Sequence, residues 1–130
     1  MTVYSLDTHT LWWFLTDDVK LSKPAKEILK DSSNRLLIPA VVLAELKWAY
    51  LKGKFPLDTY ELCQLLSKNE GFIIRPITSR IVNLLPAGLE LHDGLICATC
   101  LDWSLRTGES VALITKDKQI TQSGILPVFW

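Results

Sequence analysis

Short apolar segments alternate along this chain with longer segments that carry the signals of α-helices. The apolar segments are residues 3–6, 36–38, 72–75 and 111–114, and residues 126–130 are a fifth candidate. Pro39 precedes the helical stretch 40–51, and Gly108 ends another at 92–107. Parallel strands need crossover connections, and helices in those crossovers cover both faces of a sheet. The order therefore predicts an α/β fold, a three-layer α/β/α sandwich with a short central parallel sheet of four to five strands.

Composition and charge limit the class of protein. The chain has 130 residues, with 14 Lys and Arg against 14 Asp and Glu, so its formal net charge is zero. Without a global positive field, any contact with nucleic acid depends on local basic patches. No apolar run approaches the roughly 20 residues of a membrane-spanning helix, and residues 1–7 lack the features of a signal peptide. We therefore expect one cytoplasmic domain over residues 1–130, without membrane contact.

Three cysteines, Cys63, Cys97 and Cys100, are an odd number and lack the spacing of a disulfide framework. Cys97 and Cys100 form a Cys-x-x-Cys motif, but no second cysteine pair and no spaced histidine pair completes a zinc site. We therefore predict that this pair serves as small buried hydrophobic residues.

Acidic residues follow the predicted strands, at the edge where an open parallel sheet binds its ligands. Asp7 directly follows the first strand, and Asp117 lies three residues after the strand 111–114. Asp93 lies at the start of the long helix that precedes that strand. These three carboxylates are expected to meet at one edge of the sheet.

Glu45 is the fourth candidate because of its place on the predicted helix 40–51. Val41, Trp48 and Ala49 share its side of that helix, at offsets of three or four residues, so the surrounding face is apolar. An ionised carboxylate buried on such a face needs an ion partner or a metal, and no Lys or Arg shares the face. One interpretation is a functional role; the other is a rotated helix that brings Glu45 to the rim.

Other acidic residues are excluded from this group. Asp102 is nine residues after Asp93, which at about 100° per residue places it on the opposite face of the same helix. Five further acids are predicted to lie in helix caps or exposed turns, where a solvated acid is ordinary. They are Asp17, Asp18, Asp31, Asp58 and Glu61.

The chemistry of the four selected acids points to a metal. Carboxylates that converge without matching cations repel one another, and a hard divalent cation offsets that repulsion. Mg²⁺ and Mn²⁺ prefer oxygen ligands and commonly serve phosphate substrates. The sequence therefore predicts a Mg²⁺ or Mn²⁺ site at Asp7, Glu45, Asp93 and Asp117, with phosphodiester hydrolysis as its reaction.

Four short motifs contain the selected acids. They are Asp7-Thr8-His9-Thr10, Pro39-Ala40-Val41-Val42-Leu43-Ala44-Glu45-Leu46, Leu91-His92-Asp93-Gly94-Leu95-Ile96-Cys97-Ala98-Thr99 and Leu113-Ile114-Thr115-Lys116-Asp117. In this order they resemble the motifs of the PIN domain family, of the VapC toxin type. The resemblance covers residues 3–128, and it is specific because all four motifs occur together.

The resemblance implies a fold, a site and an activity. It places the family's four acids on Asp7, Glu45, Asp93 and Asp117, all of which are present. Thr115 matches the Ser or Thr that often precedes the last acid by two residues, where its hydroxyl would orient Asp117 or a metal-bound water; a purely structural role is the alternative. Such proteins cut RNA with a divalent metal and are silenced by a small antitoxin, and the resemblance implies both here.

The sequence does not fit two rival folds, and it leaves two other functions open. A haloacid-dehalogenase-like phosphatase needs a second Asp two residues after the first, where this chain has His9. A receiver domain needs an Asp at the end of its third strand, where this chain has Arg75 and Pro76. A housekeeping RNA-processing PIN nuclease and a catalytically silent PIN-like binding module remain open, although none of the four acids is lost.

Basic and histidine side chains near the predicted edge have open roles. His9 and His92 are candidates for proton transfer, although a His at a helix start more often caps or packs. Four lysines are candidates for sequence-independent contacts with RNA phosphates. They are Lys52, Lys54, Lys116 and Lys118.

An aromatic cluster, Trp12, Trp13 and Phe14, lies on the first predicted helix. Core packing is the ordinary use of such rings, but not all three can point inward from one short helix, and an exposed member would mark an interface. We therefore expect a homodimer and a surface for a partner protein.

Overall fold

The fold consists of five strands and seven helices within residues 2–130, the range that this computed structural model describes. The strands are β1 (Thr2–Leu6), β2 (Leu36–Pro39), β3 (Phe72–Arg75), β4 (Ser110–Ile114) and β5 (Val128–Phe129). The helices are α1 (Thr8–Leu15), α2 (Lys23–Lys30), α3 (Ala40–Leu51), α4 (Thr59–Ser67), α5 (Ser79–Asn83), α6 (Leu91–Thr107) and α7 (Lys118–Ser123). None of these helices is long and apolar enough to cross a membrane. Met1 lies outside the described range, so one domain over residues 1–130 stays a prediction.

All five strands run parallel in one sheet, in the order β3-β2-β1-β4-β5. Helices flank this sheet, so the predicted α/β/α sandwich is confirmed. In the pairing of β1 with β4, Leu6 lies beside Ile114. The residues that follow these two strands, Asp7 and Thr115, therefore leave the sheet next to each other.

The core lies around the central strands, whose apolar side chains are covered on both faces. Leu37 and Ile38 of β2 and Leu113 of β4 have no exposed surface. Continuous apolar runs of this kind are typical of parallel strands buried on both sides. The helix α6 is also buried from Gly94 to Cys100, so it is held firmly against the sheet.

The three cysteines are free. Cys97 and Cys100 are buried on α6, as predicted, whereas Cys63 on α4 is only partly buried. Burial raises the pKa of the Cys97 thiol to about 11 and that of Cys100 to about 12. Both buried thiols are therefore protonated at neutral pH and inert.

The aromatic cluster of α1 is packed, which corrects the expectation of an exposed member. Trp12 lies edge-on against Phe55, with ring centroids 5.1 Å apart, and Trp13 lies edge-on against Trp130 at 5.9 Å. Phe14 also packs against the core. The short helix buries part of each ring because the loop at Phe55 and the C-terminal Trp130 close over it. The cluster is thus part of the packing around the core, while the homodimer and the partner surface stay predictions.

Candidate active site

A cavity of about 410 Å³ lies beyond the carboxyl ends of β1 and β4. All four predicted acids line it, and each belongs to a different part of the fold. Asp7 follows β1, Glu45 lies on α3, Asp93 lies on α6 and Asp117 precedes α7. This cavity is called the carboxylate pocket below.

Asp7 is the most buried of the four acids, with 8% of its surface exposed. Its position as the N-cap of α1 explains its orientation, because its Oδ1 accepts a hydrogen bond from the backbone N–H of Thr10 at 2.9 Å. The hydroxyl of Thr115 donates to its Oδ2. Two donors on opposite oxygens thus hold this carboxylate in one orientation.

Thr115 links two of the acids across the sheet. Its side chain is buried, and its hydroxyl accepts a hydrogen bond from the backbone N–H of Asp117 at 3.0 Å while donating to Asp7. Asp117 in turn is the N-cap of α7 and accepts from the N–H of Ile120 at 2.9 Å. The hydroxyl therefore orients Asp7 directly and Asp117 through its backbone.

Asp93 lies in the first turn of α6, where it faces the other acids. The pKa of its carboxyl is raised from 3.8 to about 6, chiefly by burial and next by the charge of Asp117. The charges of Glu90, Asp7 and Glu45 raise it further. The charges of the other pocket acids therefore all reach the carboxyl of Asp93, which shows that these acids interact electrostatically.

Glu45 lines the pocket from the rim of α3, not from a buried apolar face as its neighbours in the sequence indicated. Its side chain is 34% exposed, and Trp48 on the same side of α3 is 62% exposed, so the expectation of burial on an apolar face is wrong. The buried face of α3 contains Val42 and Leu46 instead. Glu45 lies at the rim, where its Oε1 accepts from the hydroxyl of Thr8 at 2.6 Å.

A comparison with protein-family models finds a match, which agrees with acids at the strand ends of a parallel sheet. The family model of the PIN domain matches residues 4–124, which is most of the chain. The chain belongs to the PIN domain family. No curated protein sequence matches it significantly.

Solved structures similar to this PIN domain show the same fold. VapBC2 from Rickettsia felis, bound to a DNA fragment from their promoter, aligns with a TM-score of 0.72 and 17% identity over 100% of this chain and 99% of that chain. VapBC-1 from nontypeable Haemophilus influenzae aligns at 0.66 and 18%, over 99% and 97% of the two chains. FitAcB from Neisseria gonorrhoeae aligns at 0.66 and 17%, over 98% and 97%. At these identities the likeness establishes the fold.

Two polar residues of this PIN domain's pocket were missed from the sequence. Glu90 lines the pocket from the N-cap position of α6, three residues before Asp93. That spacing was a usable signal, because residues three apart at a helix start share a side. Thr8 also lines the pocket, and its hydrogen bond to Glu45 was not foreseeable without knowledge of how α1 and α3 pack.

The histidines and lysines are divided between the pocket and other surfaces. His9 lines the carboxylate pocket and its ring lies 5.6 Å from that of Trp13. His92 lies just outside, with its Nδ1 3.7 Å from Glu45 and 3.5 Å from Glu90. Of the four candidate lysines, Lys116 lines the pocket, and the three that do not are Lys52, Lys54 and Lys118.

Asp102 lies away from the pocket, as its helical phase predicted. It has no exposed surface and pairs with Arg75 and Arg80, each at 3.4 Å. A third arginine, Arg106, lies at 4.0 Å. This carboxylate is therefore part of an ion-pair cluster on the opposite side of α6.

The donor set of the carboxylate pocket fits a hard divalent cation, the kind of ion that PIN nucleases generally use. Within residues 2–130, no group of three or more His, Cys, Asp and Glu side chains is arranged to hold a metal ion. Mg²⁺ does not require three protein ligands, because it keeps several waters and binds through one or two carboxylates together with substrate phosphates. An open pocket with several carboxylates suits that mode of binding.

Proposed function

We propose that this PIN-domain protein is a divalent-metal-dependent endoribonuclease that hydrolyses phosphodiester bonds in RNA, and that it is the toxin of a toxin–antitoxin pair. The observation that carries the proposal is the meeting of four acids, from four separate parts of the fold, in one pocket of a PIN domain. The likeness to VapBC structures supports the toxin–antitoxin setting.

The proposed metal ligands are Asp7, Glu45, Asp93 and Asp117. A bound Mg²⁺ or Mn²⁺ would offset their mutual repulsion and polarise a phosphodiester oxygen. Thr115 is a positioning residue, since its hydroxyl holds Asp7 and the backbone of Asp117. Lys116, at the pocket wall, is placed to contact a phosphate of the RNA strand.

The proposed partners are a cognate antitoxin and a second copy of the chain, in the cytoplasm. An antitoxin would supply a positive charge to the pocket. One Arg or Lys directed at the carboxylates would form ion pairs with them and inhibit the site. Exposed apolar side chains on α3 and α4, among them Leu51, Tyr60 and Leu65, are available for such contacts. Light scattering of the chain alone, and with its neighbouring reading frame co-expressed, tests both partners.

Cleavage of single-stranded RNA by the purified chain tests the activity. We expect cutting with Mg²⁺ or Mn²⁺ and none in excess EDTA. Asp7→Asn and Asp93→Asn should each abolish cutting, and Glu45→Gln should do so while the matched control Glu61→Gln does not. Glu61 is the control because it lies exposed on α4, outside the pocket.

Two outcomes contradict the proposal. Equal cutting in excess chelator, with contaminating nuclease excluded by the Asp93→Asn preparation, removes the metal mechanism. Loss of folding in all three inactive variants, seen as a collapsed melting transition, assigns the acids a structural role instead.

A further inference from the structure

A second cavity, of about 350 Å³, adjoins the carboxylate pocket and shares Glu45 with it. Its other lining residues are Val41, Ala44 and Trp48 of α3, and His92 at the start of α6. The volume lies in the range of about 300–1,000 Å³ that is usual for small-molecule sites. It is called the Trp48 cavity below.

Among the tryptophans of residues 2–130, Trp48 is the one whose side chain is exposed. It is 62% exposed, whereas Trp12 and Trp13 of α1 pack against other rings. A large exposed aromatic ring beside a catalytic pocket is an available stacking surface. The ammonium of Lys52, one helical turn further on, lies 4.8 Å from the centre of the Trp48 ring.

We propose that the Trp48 cavity binds one unstacked nucleobase of the RNA strand, adjacent to the phosphodiester that the carboxylate pocket holds. This inference rests on the proposed function and adds a subsite to it. Trp48 stacks on the base, and Lys52 contacts a phosphate of the same strand. Stacking of a base on an aromatic ring is open to every base, because each has a π-face.

Two features favour RNA over a protein segment in this cavity. The cavity shares the side chain of Glu45 with the proposed cleavage site, so a strand whose phosphate lies in the carboxylate pocket can place its neighbouring base in the Trp48 cavity. The ammonium of Lys52 lies beside the Trp48 ring, just outside the cavity lining. Lys52 follows Glu45 by about 10 Å along α3, at 1.5 Å per residue. Aromatic ring and cation together are the usual elements of a single-strand binding surface.

The inference also predicts a preference for single-stranded substrate. A base inside a duplex is stacked and paired on both sides, and its release costs a few kcal/mol at each site. A base in a loop or an unpaired strand enters the Trp48 cavity without that cost.

A double-mutant cycle between Trp48 and the RNA tests the proposal. Trp48→Ala and Trp48→Phe are compared with Leu105→Ala, which alters an exposed side chain of α6 that lines neither cavity. The RNA set replaces each nucleotide around the cleavage position, one at a time, by an abasic ribose. Cleavage gives kcat/KM, and fluorescence anisotropy on an Asp93→Asn background gives Kd without cutting.

We expect Trp48→Ala to lower kcat/KM and weaken RNA binding by about five- to 150-fold, which corresponds to about 1–3 kcal/mol at about 1.36 kcal/mol per tenfold. Trp48→Phe should retain most of the affinity and Leu105→Ala all of it. One abasic position should weaken wild-type binding similarly and have no further effect on Trp48→Ala. That non-additivity identifies the base that lies on the ring.

The outcomes separate this inference from the proposed function. Wild-type protein that cuts no RNA overturns the proposed function, while the anisotropy cycle still decides whether Trp48 binds a base. Wild-type cutting with unchanged kcat/KM and Kd in Trp48→Ala overturns the inference alone. The inference is also overturned if Trp48→Ala cuts RNA normally but no longer forms a complex with its co-expressed neighbour, since the cavity then takes a protein.

Discussion

The stability of the metal-free protein should depend on the charge of Asp93. In the folded chain the pKa of this carboxyl is raised from 3.8 to about 6, first by burial and then by the charge of Asp117. Between these two values the folded protein binds a proton that the unfolded chain releases. The free energy of unfolding therefore falls as the pH rises from about 4 to about 6, and the loss persists at higher pH.

The size of the effect follows from the same shift. A pKa raised from 3.8 to about 6 corresponds to about 3 kcal/mol, at about 1.4 kcal/mol per pH unit. Asp93 is only partly buried, and solvent screens part of the repulsion, so we expect Asp93→Asn to stabilise the protein by about 1–2 kcal/mol near pH 8. For a domain of this size, that is an increase of about 3–8 °C in melting temperature.

Urea unfolding in EDTA, near pH 4, 6 and 8, measures the difference. Wild type and Asp93→Asn should be nearly equal near pH 4 and should differ most near pH 8, while Glu61→Gln follows the wild type throughout. Added Mg²⁺ should stabilise wild type more than Asp93→Asn, because a ligand that binds the folded state raises its stability. The reasoning is refuted if Asp93→Asn is the less stable protein near pH 8, or if the difference does not change with pH.

Three further predictions concern other buried groups. Thr115→Val should lower RNA cleavage about 10–100-fold, and Thr115→Ser should restore it, because the hydroxyl orients two of the acids; single-turnover kinetics measure this. Asp102→Asn should reduce the free energy of unfolding by about 2–4 kcal/mol in urea, because it removes the charged partner of the partly buried Arg75, whereas Asp17→Asn at an exposed pair should leave stability nearly unchanged. Iodoacetamide near pH 8 should label Cys63 and spare Cys97, whose pKa is raised to about 11, as mass spectrometry of the folded protein would show.

The elements and the edge of the sheet could be predicted because short apolar runs end abruptly at polar residues. Leu6 is followed by Asp7, and Ile114 is followed by Thr115, so each strand marks its own end. The direct contact between Asp7 and Thr115 could not be predicted in the same way. It depends on β1 lying beside β4, and the order of strands follows from packing between residues more than 100 positions apart.

Helical periodicity identified the residues that share a face of α3 with Glu45. It did not show whether that face is buried or exposed. Residues three and four apart share a face whether it packs against the core or contacts solvent. On α3 the face that contains Trp48 is the exposed one, because Val42 and Leu46 supply the buried contacts. The same limit explains the aromatic cluster of α1, where Trp130, at the other end of the chain, covers a ring that local sequence leaves open.

The helix N-termini around the carboxylate pocket explain how the chain folds with these acids so close together. Asp7 and Asp117 are N-caps, and each accepts a backbone N–H of its own helix at 2.9 Å, so part of their charge is offset by donors and by the helix dipole. Asp93 also lies near a helix start, but within residues 2–130 no hydrogen bond to its carboxylate is recorded, and its pKa is raised. Asp93 is thus the acid whose negative charge is least compensated by hydrogen-bond donors. A cation bound at this pocket would therefore relieve the repulsion on Asp93 in particular.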